Sequence, residues 1–166
     1  MELRVFHTND YSTLIGWIDS DRLNYQWGEP NYRFPLDHEQ ISKHCAQPQV
    51  YPFIFVVDDK RAGYVELYRA SSLHFRICRV FVSNSFRGRG VAKLMLQQLI
   101  DFAISSLNAQ EISLAVFEHN HVARRCYESL GFVVIAYEQG TRTFDGEVWN
   151  LLRMSKTINN RNKEVQ

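Results

Sequence analysis

Cysteine is scarce in this chain: Cys45, Cys78 and Cys126 are widely spaced, odd in number and form no C-x-x-C pair. That pattern argues against a disulfide framework and against a zinc site. Long apolar runs are also missing, and none approaches the roughly 18 residues that a membrane-spanning helix needs. Neither sign of charge dominates, since 19 Lys and Arg against 18 Asp and Glu leave a formal net charge of +1. No Lys/Arg run and no basic–aromatic interleaving provides a nucleic-acid surface. Met1–His7 lacks the apolar segment of a signal peptide. The expectation is a cytoplasmic protein in a reducing compartment, with neither membrane nor nucleic acid as a partner.

What is present suffices for a core. The chain has 166 residues, of which 45% are hydrophobic, enough for one unstapled domain. Short strands are expected at 3–6, 51–57, 62–68, 73–82, 112–117, 132–137 and 148–154. Asp58–Arg61 and Asp145–Gly146 read as turns. Helices are expected from Asp10 through Ile18, from Leu36 to Ala46 with Asp37 as N-cap, from Gly90 to Leu107, and from Asn120 to Leu130 with Gly131 as the stop. The third of these carries apolar residues at 91, 94, 95, 99, 102, 103 and 107, a helical period. In the strand at 73–82, Phe75, Ile77, Arg79 and Phe81 alternate against His74, Arg76, Cys78 and Val80. Asp21–Pro35 reads as irregular, broken by Gly28, Pro30 and Pro35. The pattern predicts a single mixed α/β domain over residues 1–158, with a polar, frayed tail from Asn159 to Gln166.

The most informative stretch is the passage from strand to helix through Arg87-Gly88-Arg89-Gly90-Val91-Ala92. A helix start leaves its first N–H groups unpaired, and these with the helix dipole favour an anion. Glycines let backbone amides approach a phosphate closely, and Arg87 and Arg89 can add charge-assisted hydrogen bonds. The letters exclude a P-loop, because no Gly-x-x-x-x-Gly-Lys-Ser/Thr string exists. A dinucleotide fingerprint fails as well, because Lys93 stands where the third glycine should be. Taken alone, the turn is equally compatible with an ordinary glycine-containing helix entry.

Two blocks carry a family resemblance. Val82-Ser83-Asn84-Ser85-Phe86-Arg87-Gly88-Arg89-Gly90-Val91-Ala92 resembles the Arg/Gln-x-x-Gly-x-Gly/Ala motif of the GNAT superfamily of N-acetyltransferases. Asn120-His121-Val122-Ala123-Arg124-Arg125-Cys126-Tyr127-Glu128-Ser129-Leu130-Gly131-Phe132 is similar to that family's Asn-x-x-Ala-x-x-x-Tyr-x-x-x-Gly-Phe block. They stand in the family's order and at about its separation, and the resemblance spans roughly residues 51 to 154. Asn84 departs from the proline often found there. The resemblance implies a three-layer α/β fold whose strongly twisted mixed sheet splays between two central strands to hold acetyl-CoA. It further implies a bulge in the strand at 73–82, with Val80 polarising the acetyl carbonyl and Val82 pairing with the pantetheine arm. By the same resemblance the amides of Gly88, Gly90, Val91 and Ala92 hold the pyrophosphate, Asn120 touches the pantetheine arm and Tyr127 faces the sulfur.

The implied reaction is attack of a neutral primary amine on a thioester, followed by expulsion of a thiolate that gains from a proton. Tyr127 is the expected general acid; a helix tyrosine that merely packs its ring is the plainer alternative. The carboxylates some family members use fall at Arg76 and Ala115, so the base must lie elsewhere. Glu66, acting through a water, is the first candidate, and Glu118 and His119 come second. An α-amine with pKa about 7.7–8.0 is partly neutral at pH 7, whereas a lysine amine is only about 0.04% neutral, so a weak base suits an α-amine or small amine better. The acceptor is either a small-molecule amine or a protein or peptide N-terminus, and Trp27, Tyr32 and Phe34 are expected either to line its pocket or to pack as a loop over the helices. His74 and His44 lack a second ligand at metal spacing, so no metal is expected. A homodimer is compatible with this reading, and the rival reading is a non-catalytic acyl-CoA-binding sensor or interaction module.

Overall fold

The computed structural model describes residues 1–159, apart from the side chain of Thr141; the remainder of the tail expected to fray lies outside the described residues. Seven strands build one sheet: β1 Glu2–Val5, β2 Val50–Val57, β3 Lys60–Arg69, β4 His74–Val82, β5 Glu111–Phe117, β6 Val133–Phe144 and β7 Glu147–Thr157. Their spatial order is β1-β2-β3-β4-β5-β7-β6, antiparallel throughout except for the parallel pair β4 and β5. This is the mixed sheet of the expected three-layer α/β fold. Tight turns make the hairpins: Asp58 and Asp59 link β2 to β3, and Asp145 and Gly146 link β6 to β7, all with positive φ.

Strand alternation divides the apolar residues between two cores. Phe53 and Phe55 on β2, Val65 and Leu67 on β3, and Phe75 and Ile77 on β4 face the long helix α4 (Val91–Leu107) and α5 (His121–Ser129). Ile54, Tyr64 and Phe81 face the opposite layer, where α1 (Tyr11–Trp17), α2 (Asp21–Gly28) and α3 (His38–Cys45) contribute Leu14, Ile18, Trp27 and Ile41. Contact between α4 and the sheet is close at Gly63, where an added Cβ would stand 2.8 Å from the Phe81 carbonyl and 3.0 Å from the Met95 sulfur. No helix among the described residues is long and apolar enough to cross a membrane.

Two elements depart from expectation. Asp21–Gly28 is helical, because the Ser20 hydroxyl accepts from the Leu23 amide at 3.1 Å and caps a turn that closes before Pro30. The C-terminal hairpin also runs well past its apolar letters. Glu138–Thr143 is polar because β6 is an edge strand in contact with solvent, so alternation is absent there.

A single buried carboxylate ties the N-terminal layer to the sheet. Asp10 accepts from both Arg4 guanidinium nitrogens at 2.9 Å, from the His7 amide at 2.9 Å and from Arg61 Nε at 2.6 Å. Burial alone would raise its pKa, but these donors outweigh burial and hold it well below the carboxylate range. Asp10→Asn should cost about 2 kcal/mol at pH 7, toward the lower side for a broken buried pair because both arginines stay partly in water. The stabilisation is complete above the unfolded value near 3.8 and fades as pH falls toward the lowered folded value. Urea titrations should therefore show a gap between wild type and variant that is wide at pH 7 and narrower at pH 3. An equal gap at both would locate the stabilisation elsewhere.

Candidate active site

The parallel ladder between β4 and β5 covers only His74–Ile77 against Glu111–Leu114. Beyond it β4 stays with β3, pairing Phe81 to Tyr64 and Val82 to Gly63, while β5 stays with β7 through Phe117 and Leu151. The sheet therefore forks, with Cys78–Val82 on one limb and Ala115–Phe117 on the other. On the first limb the register shifts, so that Arg79 and Val80 together oppose Val65. Arg79 takes φ +53, a conformation that costs a residue with a Cβ about 1 kcal/mol or more. This is the bulge implied by the resemblance, and it breaks the simple alternation read from the letters.

The turn after β4 makes a cradle. A 3₁₀ turn, Asn84–Phe86, leads to Gly88 and Gly90 at φ +75 and +72, and Gly90 is the N-cap of α4 with no side-chain cap. The amides of Val91, Ala92 and Lys93 precede the first intrahelical bond, from the Leu94 amide to the Gly90 carbonyl at 3.2 Å. A Cβ built at Gly88 or Gly90 meets nothing within 4 Å, so backbone conformation and not packing calls for glycine there. Amides grouped at a helix start in open space fit a pyrophosphate. Arg87 folds back, donating from Nε to the Val82 carbonyl at 3.0 Å, and Arg89 lies over the Phe86 ring. Both stay exposed at the cradle's rim.

On the α5 side, Asn120 caps its helix by accepting from the Ala123 amide at 3.3 Å. Tyr127 is buried and packs edge-on against Phe132. Burial, then the neighbouring thiols of Cys126 and Cys78, raise its pKa well above the usual phenol value. Among the described residues no protein group hydrogen-bonds the Tyr127 hydroxyl, and proximity to Cys78 puts it beside the bulged limb.

Glu66 does not sit where a water-relayed base should. It is 1% exposed and carries three donors: Tyr64 Oη at 2.6 Å on one oxygen, Arg79 at 2.7 Å and His44 Nε2 at 2.9 Å on the other. Burial pushes its pKa up, but the His44 hydrogen bond and the Arg79 charge prevail and hold it below the usual value. Sequence reading missed this cluster, since its members lie far apart in the chain. A signal existed in Arg79, an arginine on the apolar face of a predicted strand, which demands a buried counter-charge.

The three aromatics proposed for the acceptor are not one surface. Trp27 and Tyr32 stack in the core beside Tyr64, and Trp27 Nε1 donates to the Arg79 carbonyl at 2.9 Å, while Phe34 is exposed. Trp27 packs from α2 and Tyr32 from the segment after it. Large rings do meet the second limb, but from elements the sequence did not single out: Trp149 of β7 touches Phe117, His119, Tyr25 of α2 and Phe144. Glu118, accepting from Tyr137 and Asn150 at 2.9 Å each, borders a shallow hollow of about 270 Å³ with His119 and His121. His74 Nε2 lies 2.6 Å from Ser113 Oγ, and among the described residues no group of three or more His, Cys, Asp or Glu side chains could hold a metal ion.

The model of the acetyltransferase (GNAT) family matches residues 14–132. The spermidine N(1)-acetyltransferase of Escherichia coli (strain K12) is 25% identical over 154 residues, covering 92% of this chain and 79% of that relative. The crystal structure of spermidine N-acetyltransferase from Vibrio cholerae in complex with CoA and spermine has TM-score 0.82 at 20% identity, covering 94% of each chain. Ribosomal-protein-alanine N-acetyltransferase from Brucella melitensis gives 0.78 at 16% identity, covering 95% of this chain and all of that one. With the forked sheet, the bulge and the glycine cradle in one strand–turn–helix unit, the chain belongs to the GNAT family: it is an acetyltransferase, with acetyl-CoA as co-substrate and an amine as acceptor.

Proposed function

We propose that this enzyme acetylates a small polycationic amine of the polyamine class by direct attack on the thioester. The observation that carries the chemistry is the fork itself, whose bulged limb runs straight into the glycine cradle. A pyrophosphate on the amides of Gly88, Gly90, Val91 and Ala92, with Arg87 and Arg89 at the rim, directs the pantetheine arm along Val82 toward Val80. Asn120 meets that arm from the other limb. The Val80 backbone then polarises the acetyl carbonyl, an interaction that strengthens as charge develops on the oxygen.

Tyr127 is the general acid of this reading. Its hydroxyl, buried beside the bulged limb and hydrogen-bonded to no protein group among the described residues, is placed to donate to a departing thiolate. With Glu66 enclosed, no carboxylate is assigned as base. The primary amines of a polyamine are alkylammonium groups like that of lysine, so the attacking nitrogen must shed a proton to water before it reacts.

The acceptor class rests on similarity to spermidine acetyltransferases that extends over 92% of the chain and so includes its N-terminal segment. The local chemistry is compatible with it. At the second limb Trp149 is buried with the Arg22 guanidinium over its ring, while the Glu147 carboxylate is exposed beside it, paired with Arg22 at 3.4 Å, and Glu118 borders the neighbouring hollow. Carboxylates at such a rim are groups that receive ammonium ions. Localisation in the cytoplasm, where acetyl-CoA and polyamines meet, belongs to the same reading.

Three measurements test it. Following thiol release from acetyl-CoA, purified enzyme should turn over spermidine and spermine with kcat/KM at least about tenfold above peptides with free N-termini or single amino acids; the reverse order overturns the acceptor assignment. Gly90→Asp sets a negative charge on the cradle; its Cβ has open space, φ +72 strains it by about 1 kcal/mol, and an intact thermal transition identifies the folded variant. Calorimetry should show acetyl-CoA binding at least tenfold weaker, about 1.4 kcal/mol. Tyr127→Phe leaves packing and cofactor affinity intact and should lower kcat by about 10²–10⁴-fold where thiolate expulsion limits the rate. An unaltered kcat under that condition would remove Tyr127 from the chemistry.

A further inference from the structure

The bulge that holds the acetyl carbonyl in the reading above is not set by β4 alone. Arg79 is gripped at both ends. Its carbonyl accepts from the Trp27 indole at 2.9 Å, and its guanidinium donates to Glu66 at 2.7 Å while lying over the Tyr32 ring. Glu66 is in turn aimed by Tyr64 from its own strand and by His44 from α3. Three elements, α2, α3 and β3, thus converge on one residue with positive φ. The Val80 N–H belongs to the same planar peptide as the Arg79 carbonyl, so holding the one orients the other.

An apolar pair would fill this space at lower desolvation cost. It would not choose one backbone angle, since hydrophobic contact has no direction, whereas a carboxylate with three donors does. Both Glu66 oxygens are engaged, and the surrounding titratable groups, His44, Tyr64, Arg79, Tyr32, Cys45 and Cys78, enclose it on every side.

We propose that Glu66 is a positioning residue: acting through Arg79 it locks the Arg79–Val80 bulge in the geometry that receives the acetyl carbonyl, and it takes no proton from the acceptor. The proposal rests on the acetyl-transfer reading of the fork. A general structural role would lower CoA affinity and acetyl transfer together, whereas a base would lower transfer alone and take the acidic limb of the pH profile with it. The cradle at Gly88 and Gly90 binds the nucleotide end of the cofactor independently of Arg79, so CoA affinity and acetyl transfer should come apart.

The test compares wild type with Glu66→Gln, Arg79→Gln, the double variant and the milder Tyr64→Phe, using the acceptor that wild type turns over best. Glu66→Gln should lower kcat by about 10²-fold, the scale of losing one preorganised donor, while the Kd for CoA, measured by calorimetry, stays within about threefold. The acidic limb of the kcat/KM profile should keep its wild-type position. Arg79→Gln should match it, and the double variant should be no worse than the poorer single, because both break the same lock. Tyr64→Phe, which removes one hydrogen bond and keeps the ring, should show a smaller loss with the same pH profile, and it carries the comparison if Glu66→Gln fails to fold. Loss of the acidic limb would make Glu66 the base after all. An unchanged kcat, or a CoA affinity that falls in step with kcat, would equally overturn the proposal. Absence of wild-type turnover on any amine would overturn the functional reading and this inference with it, whereas turnover with an unaffected Glu66→Gln overturns this inference alone.

Discussion

Two central strands that cannot stay paired govern this molecule. The β4–β5 ladder ends at Ile77 and Leu114, and each strand then follows its other neighbour. Backbone groups on the inner edges of the fork have lost their sheet partner, and in a folded protein such groups are either hydrated or satisfied by something else. A linear amide-bearing ligand can add to those edges as a further strand does. The flanking features follow from the fork's position. The cradle lies beyond the end of one limb, the Asn120 cap lies beyond the end of the other, and Tyr127 reaches the bulged limb from α5.

Much of this was legible in the chain because it is local. The apolar stripe of α4, the glycines before it and the Asn120-to-Gly131 block each fit within about one helix, where residue spacing maps directly to geometry. Even there the stripe turned slightly, burying Leu96 and Ile100 and leaving Leu94 exposed. The Asp37 cap and the Gly131 stop were local in the same sense. The helix Asp21–Gly28 escaped notice because the breakers after it outweighed a cap formed by one serine hydroxyl. The polar half of β6 was invisible because an edge strand wetted by solvent has no buried face to write into the sequence.

The buried cluster was beyond reach for a different reason. Glu66 meets His44 and Arg79 across 22 and 13 residues, and nothing in either neighbourhood names the other. A glutamate alternating with Val65 and Leu67 on a strand reads as a solvated polar position or as a reagent. Only the fold brings α3 over β3 and turns both oxygens inward. Trp27 and Tyr32 illustrate the converse, since aromatic residues in a segment with glycine and proline look like pocket walls until the helices beneath them are seen. The rings that do stand at the second limb, Phe117 and Trp149, belong to strands whose letters advertise only β structure.

The fork also has a thermodynamic side. A ligand that bridges its two limbs binds the folded chain and has nothing to bind in the unfolded one, so it adds RT ln(1 + [L]/Kd) to stability. At a hundredfold excess over Kd that is about 2.7 kcal/mol, a large share of the stability of a typical domain. The backbone pairing of the limbs is confined to the short ladder at their base, so a ligand seated between them as proposed would act as the missing rungs. Acetylated and free CoA share the nucleotide end, so either one seated in the fork would protect the folded chain from proteolysis of its opened form, in proportion to its concentration over Kd.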